Sequence, residues 1–141
     1  MSIRLITFDL DDTLWDNRPV ILGAETAMRD WIDQHAPRLA SQPVDHLGQV
    51  RGRLLEAEPG LKYRLSELRR RTLRHALEGV GHDPEEAAHL AEGAFQAMLE
   101  ARHTITFFSD TVTTLELLAN QYSLGVICLL YTSPSPRDLS T

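Results

Sequence analysis

The stretch Leu5–Leu14, written LITFDLDDTL, sets three carboxylates, Asp9, Asp11 and Asp12, within four residues directly after an apolar run. Carboxylates crowded that closely repel one another, so a fold gains nothing from them unless a cation lies between them. Mg2+ suits such a place, because it is a hard cation that takes one or two protein carboxylates together with a substrate's phosphate oxygens. A carboxylate held beside it can attack phosphorus and form an aspartyl-phosphate. A second carboxyl group can protonate the leaving alcohol and later deprotonate the water that releases phosphate. Asp9 and Asp11 are separated by one residue, so on a continuing strand both point the same way. Asp9 and Asp11 are therefore the candidate catalytic residues and the candidate Mg2+ ligands. Thr13 is the candidate phosphate-binding residue, through its hydroxyl or its backbone N–H. Asp12 reads as a turn residue facing away, and Asp16 and Asn17 as residues that shape the turn into the next element.

Those residues need a strand behind them and a cover above them. Ile3–Leu10 is β-branched and aromatic, too short for a helix, and reads as a strand buried on both faces. Its acids then lie at the C-terminal end, where open parallel α/β sheets place their ligands. From Pro19 the period turns helical, through Ile21, Ala24, Met28, Trp31 and His35, until Pro37 ends the run. A second helix is predicted over 44–57, with Leu47, Val50 and Leu54 on one face, stopping near Pro59-Gly60. A third runs from Tyr63 to Glu78 and closes at Gly79 and Gly81. The fourth has the clearest start, Asp83-Pro84-Glu85-Glu86, an N-cap followed by a proline at the first helical position, and its stripe is Ala87, Leu90, Ala91, Ala94, Phe95 and Met98. Ser109 or Asp110 caps a fifth helix carrying Val112, Leu115 and Leu118, and Tyr122–Cys128 reads as a second buried strand. A crossover between parallel strands needs only about a dozen residues. The far longer connection here implies a helical insertion, 17–104, standing over the end of the first strand and able to exclude water from chemistry there.

Composition narrows the function classes. The chain has 141 residues and a net charge of −6, which argues against general nucleic-acid binding. The charge is uneven, since Arg51–Arg74 carries a local +5 and leaves −11 elsewhere. Arg69, Arg70, Arg71 and Arg74 occupy successive faces of one helix, so some are simply solvated, while the rest can attract a phosphorylated substrate. A single cysteine, Cys128, rules out an internal disulfide and suits the cytoplasm. No run approaches a membrane span and the first residues form no signal peptide. The six histidines follow no metal-binding spacing, so a zinc site is not expected. Trp15 and Trp31 read as packing residues, although Trp15 lies close to the acids.

An apolar strand followed by D-x-D-x-T, matched by Asp9, Asp11 and Thr13, resembles motif I of the haloacid dehalogenase-like (HAD) superfamily, and the helical insertion that follows resembles the family's C1-type cap. The resemblance covers residues 2–127. It implies an α/β fold: a partial HAD-like, Rossmannoid parallel-sheet core, 1–16 and 105–127, with an all-helical cap, 17–104. It also implies that Asp9 is the nucleophile, that Asp11 is the general acid/base, and that the Asp9 carboxylate and the Asp11 backbone carbonyl hold Mg2+. The implied activity is hydrolysis of a small phosphorylated metabolite in the cytoplasm, with neither nucleic acid nor membrane as partner. DLDDTLWDNRPVIL and Ala57-Glu58-Pro59 look similar to bacterial phosphatases of the riboflavin pathway, which act on FMN and 5-amino-6-(5-phosphoribitylamino)uracil. Dehalogenases of the superfamily lack the second aspartate, which disfavours that activity.

The family's other motifs are not matched. Motif II requires Thr or Ser after the second core strand, and the register puts Cys128 there, whose thiol is a poor donor. Motif III is a lysine, and the one lysine present is Lys62, inside the cap. Motif IV is a late acidic pair, of which Asp138 alone remains. Residues 128–141, CLLYTSPSPRDLST, change composition abruptly and read as a disordered tail of foreign sequence. The expectation is therefore a truncated phosphatase, inactive by itself. The alternatives are a catalytically dead binding remnant, or a family hydrolase of another substrate class.

Overall fold

The structure, a computed structural model, describes residues 2–127. In chain order it contains β1 (Leu5–Phe8), α1 (Asn17–His35), α2 (Pro37–Ala40), α3 (His46–Ala57), a 3-10 turn (Pro59–Tyr63), α4 (Leu65–Gly79), α5 (Pro84–Ala101), α6 (Thr111–Ala119) and β2 (Ser123–Val126). The expected α/β architecture is present, a small parallel sheet with an all-helical insertion after its first strand. The tail beginning at Cys128, and with it the motif II position, lies outside the described residues.

β1 and β2 pair in parallel from Leu5 opposite Ser123 to Phe8 opposite Val126. One further bond at each end extends the ladder, from the Ser123 N–H to the Arg4 carbonyl and from the Ile127 N–H to the Phe8 carbonyl, each 2.9 Å. Both strands are shorter than the apolar runs suggested. β1 stops at Phe8 because the Leu10 carbonyl turns back to accept the N–H groups of Thr13 (3.2 Å) and Leu14 (2.9 Å). The expectation that the strands are buried on both faces is corrected: Leu5 is 57% exposed and Val126 59%. A continuous apolar run is the signature of a strand covered on two sides, and among the described residues those covers are not supplied.

The packed interior lies in the helices. Its buried cluster runs from Ala24 to Met98 and draws on α1 to α5 and the 3-10 turn, with Phe95, Leu61, Leu68 and Leu77 its largest enclosed side chains. Local chemistry sets the helix ends. Asp16 accepts the Arg18 N–H and starts α1 two residues before the proline that the sequence pointed to. Asp83 accepts the N–H groups of Glu85 and Glu86 and caps α5 as expected. α4 ends with Gly81 at φ +92, the His82 N–H bonded to the Leu77 carbonyl and the Gly81 N–H to the Glu78 carbonyl. That paired pattern needs a left-handed residue, and glycine adopts it without a Cβ clash. Residues 59–63 form a separate 3-10 turn instead of joining the helix, and it drives Leu61 to complete burial. On α1 the buried residues are Val20, Ala24 and Ile32, and Met28 and Trp31 of the expected stripe pack against the same core, whereas Ile21 is exposed. α1 meets α5 at Gly93, whose missing Cβ leaves room for the Trp31 ring.

Candidate active site

The acids occupy a tight turn between β1 and α1. Asp9 is the first residue beyond the strand and is half-buried. The Asp12 N–H bonds to the Trp15 carbonyl (2.8 Å), and Asp12 itself takes φ +60, a left-handed conformation that aspartate tolerates better than most side chains. Its carboxylate accepts the Asn17 N–H at 2.9 Å, at the first turn of α1. Asp12 is thus the turn residue that the sequence suggested. Asp11 forms an isolated parallel bridge with Trp15, so the chain reaches it through the turn and not along β1. Thr13 is exposed, and its N–H is already committed to Leu10, which leaves the hydroxyl as the group able to meet a ligand.

The turn is tied to the chain returning from the helices. Trp15 bridges Phe107, and their rings meet edge to face at 6.0 Å between centroids. The Leu14 carbonyl accepts both the Phe108 N–H and the Thr111 hydroxyl, each at 3.0 Å. Residues nearly a hundred positions apart therefore hold one another at the C-terminal end of the sheet, which fixes the acids at the mouth of the insertion.

A cavity of about 290 Å3 adjoins the turn, lined by Asp11, Trp15, Asn17 and Val20 on one side and by Leu99, Arg102 and His103 on the other. Three of those residues carry buried polar atoms without a hydrogen-bond partner: Asp11 Oδ2, Asn17 Oδ1 and Trp15 Nε1. Buried polar groups left unsatisfied, here two acceptor oxygens and the donor indole N–H, cost about 1–3 kcal/mol each, so their retention marks a place where a ligand, ion or water completes them. Of the three candidate residues, Asp11 lines this cavity; Asp9 and Thr13 do not. Among the described residues no three carboxylate, imidazole or thiol side chains gather into a metal shell. The orphaned oxygens fit a cation that draws few ligands from the protein and the remainder from substrate and water, which is how Mg2+ is commonly held. Lys62 sits in the 3-10 turn with its ammonium 4.8 Å above the Tyr63 ring, within the helical insertion as its position implied.

The basic stretch resolves into two sets. Arg70 makes a bidentate pair with Glu92 (2.7 and 3.1 Å) and lies 3.9 Å over the Phe95 ring. Arg71 meets Glu58 and Glu67, Arg64 meets the same two acids, and Arg74 meets Glu78. These arginines are structural. Arg69 makes no such pair among the described residues. It lines a second, larger cavity of about 1180 Å3 between α1, α3 and α4, together with Arg51 and Arg102. Crowding around its guanidinium, reinforced by the like charges of Arg102 and Arg51 and partly opposed by Glu25, holds its pKa below the ordinary arginine value. Asn17 and Arg102 belong to the walls of both cavities. Sequence reasoning does not single out Arg102, because it lies outside the basic stretch and joins Arg69 and Arg51 only through the fold.

Comparison with known proteins agrees with this arrangement. The family model described as haloacid dehalogenase-like hydrolase matches residues 3–138. The match continues beyond Ile127, so it does not itself set a boundary there. The 5-amino-6-(5-phospho-D-ribitylamino)uracil phosphatase YigB of Escherichia coli (strain K12) is 35% identical over 125 residues, which cover 89% of this chain and 52% of that protein. A solved structure described as a 2-haloacid dehalogenase from Pseudomonas syringae pv. Tomato DC3000 is 48% identical, with a TM-score of 0.80, covering 99% of this chain and 60% of that one. The chain thus spans about half the length of its curated relative. With the acidic turn at the sheet's C-terminal end, the helical insertion above it and a family match across nearly its whole length, the chain belongs to the haloacid dehalogenase-like hydrolases.

Proposed function

We propose that this chain carries the acidic half of a phosphomonoester hydrolase site acting on a small phosphorylated metabolite. One observation carries the reading: a second aspartate, Asp11, two positions after Asp9, with an orphaned oxygen in a residue lining the cavity at the turn. Carbon–halogen hydrolysis by an aspartate nucleophile has no leaving alcohol to protonate, so it gives a second carboxyl group no such task. The YigB relative, named for its phosphorylated ribityl-uracil substrate, supports the same class, with FMN as a chemically related candidate.

In this mechanism the Asp9 carboxylate attacks phosphorus, the ester P–O bond breaks, and the Asp11 carboxyl group gives its proton to the departing alkoxide. Asp11 then takes a proton from water as the water oxygen attacks the aspartyl-phosphate, releasing phosphate and restoring Asp9. The Thr13 hydroxyl donates to a phosphoryl oxygen. The Asp9 carboxylate and the Asp11 backbone carbonyl would hold Mg2+, which supplies charge stabilisation at the phosphoryl oxygens when bound. Trp15 and Val20 exclude water from one side of the turn.

The 48% identical structure described as a dehalogenase favours a second reading, halide release from a 2-haloacid with Asp9 as the nucleophile. Parallel assays of phosphate release from 4-nitrophenyl phosphate with Mg2+ and of chloride release from 2-chloropropionate separate the two. Phosphate release that vanishes in Asp9→Asn and on chelation, and that falls in Asp11→Asn while a phosphorylated protein accumulates, supports the phosphatase. Halide release insensitive to Asp11→Asn overturns it in favour of the dehalogenase. Identical background in the chain and in Asp9→Asn, for both substrates, overturns both in favour of an inactive remnant.

A further inference from the structure

The arginines of α4 divide sharply. Arg70, Arg71 and Arg74 each hold a carboxylate within 2.8 Å, whereas Arg69, on the same helix, holds none among the described residues. Arg51 from α3 and Arg102 at the end of α5 likewise have no ion-pair partner among the described residues, and all three line the larger cavity. The same lining also holds Arg29 and the carboxylates Glu25, Asp33 and Asp45, but among the described residues none of those acids forms an ion pair with Arg51, Arg69 or Arg102, so three guanidinium groups from neighbouring helices stay open to an anion. Glu25, on α1, is the nearby acid felt by Arg69, and it lies too far for an ion pair.

The rest of the lining describes the ligand. His46 presents a buried Nε2 without a partner, a further polar group left open in the same cavity. Ile21, Met28, Leu73 and Met98 give the same lining an apolar share. At about 1180 Å3 the cavity is somewhat larger than the range of about 300–1000 Å3 that small-molecule sites occupy. Its shared walls with the smaller cavity, Asn17 and Arg102, connect it to the turn that carries Asp11.

We propose that this cavity binds a small ligand bearing a phosphate- or carboxylate-class anion, with Arg51, Arg69 and Arg102 gripping the anion and the apolar share of the lining receiving the body of the molecule. Guanidinium groups suit the task because their planar forks match the oxygens of such anions. Under the proposed phosphatase reading, and resting on it, the anion is either a second anionic group of the substrate, remote from the phosphate at Asp9, or a separate anion that occupies the insertion alongside it.

Binding tests the site without turnover, so it can fail or succeed independently of the phosphatase reading. The full chain is titrated calorimetrically, in chelator and low salt, with inorganic phosphate, with fructose 6-phosphate and with fructose 1,6-bisphosphate. Saturable binding is expected, weakened about tenfold or more in Arg69→Gln and in Arg102→Gln, corresponding to about 1.4 kcal/mol. Arg74→Gln, whose ion pair lies outside the cavity, should bind as the parent does. Ellipticity at 222 nm establishes that each variant keeps its helices, and either arginine variant suffices if the other does not fold. If phosphate competes with the bisphosphate, the anion belongs to the substrate; if phosphate binds together with the monophosphate, it is a separate ligand. Absence of saturable binding, or equal affinity in folded Arg69→Gln, overturns the site. Weakening in Asp11→Asn but not in the arginine variants would also overturn it, by assigning the anion to the acidic turn.

Discussion

Gly93→Ala isolates how tightly α1 and α5 are fitted together. A Cβ at that position would lie 2.2 Å from Trp31 Cζ2, 2.7 Å from Cη2 and 2.9 Å from Cε2. Carbon atoms in contact prefer about 3.5–4.0 Å, so the indole would have to retreat by more than about 1 Å. It is not free to do so at no cost, because it stacks on His35 at 4.2 Å between centroids and His35 Nδ1 lies 2.8 Å from the Trp31 carbonyl. Overpacking of this kind costs about 1–3 kcal/mol. Against that, alanine is favoured over glycine within a helix by about 1 kcal/mol. The overlap wins, and a net loss of about 1 kcal/mol is expected, lowering Tm by about 2–5 °C. At Gly52, inside α3, an added Cβ would meet nothing within 4 Å, so Gly52→Ala should instead stabilise by about 0.5–1 kcal/mol. Urea unfolding followed at 222 nm measures both. Combining Gly93→Ala with Trp31→Leu should recover much of the loss, since the colliding ring is gone. Equal stabilisation by Gly93→Ala and Gly52→Ala would refute the reasoning, because it would mean that Trp31 relaxes freely.

Removal of the α5 cap by Asp83→Ala should cost about 1 kcal/mol in the same urea experiment, because two N–H groups lose their acceptor. Acid should weaken the helical body: the Arg71 and Arg64 partners of Glu58, and the Arg70 and Gln96 partners of Glu92, hold both carboxyl groups below the usual glutamate range. A depressed folded value means that this stability is complete above the unfolded value, about 4.3, and is lost as pH falls through the lower folded values. Glu92→Gln should flatten the pH dependence of the urea midpoint in that window, and an unchanged slope would count against the pair. Hydrogen exchange should find the amides of α4 and α5 the most protected and those of β1 and β2 the least, since the enclosed side chains belong to the helices and the strands are exposed.

Where local chemistry decides an element, the sequence is a good guide to it. Asp83-Pro84-Glu85-Glu86 specifies its own helix start because the cap, the proline and the acids act within a single turn. Gly81 specifies the end of α4 for the same reason. Errors arise where distant residues decide. The helical pattern takes in Val44, yet that residue is exposed ahead of α3, and the chain from Pro59 to Tyr63 leaves the helical path so that Leu61 can enter the interior. The strands look more buried in sequence than they are, because apolar composition reports what a strand is suited to pack against, not what the described chain provides.

The acidic turn and the arginine cavity show the same division at the level of function. The proposed roles of Asp9, Asp11 and Thr13 could be read from sequence because covalent chemistry at one centre needs groups only a residue or two apart, a spacing that survives in the linear chain. The linear spacing leaves two donors open at Thr13, and the turn commits one of them, the N–H, to the Leu10 carbonyl. The arginines are half legible. Four of them on neighbouring positions of one helix look alike in sequence, and what separates Arg69 from Arg70 is that Glu92 of α5 stands beside one and a cavity beside the other. Helical geometry places adjacent residues about 100° apart around the axis, so that single step turns one guanidinium towards a carboxylate and the next towards Arg51 and Arg102. A cluster that draws on three helices leaves no spacing to find, and its signature is instead a set of guanidinium groups that share a wall with acids and, among the described residues, pair with none of them.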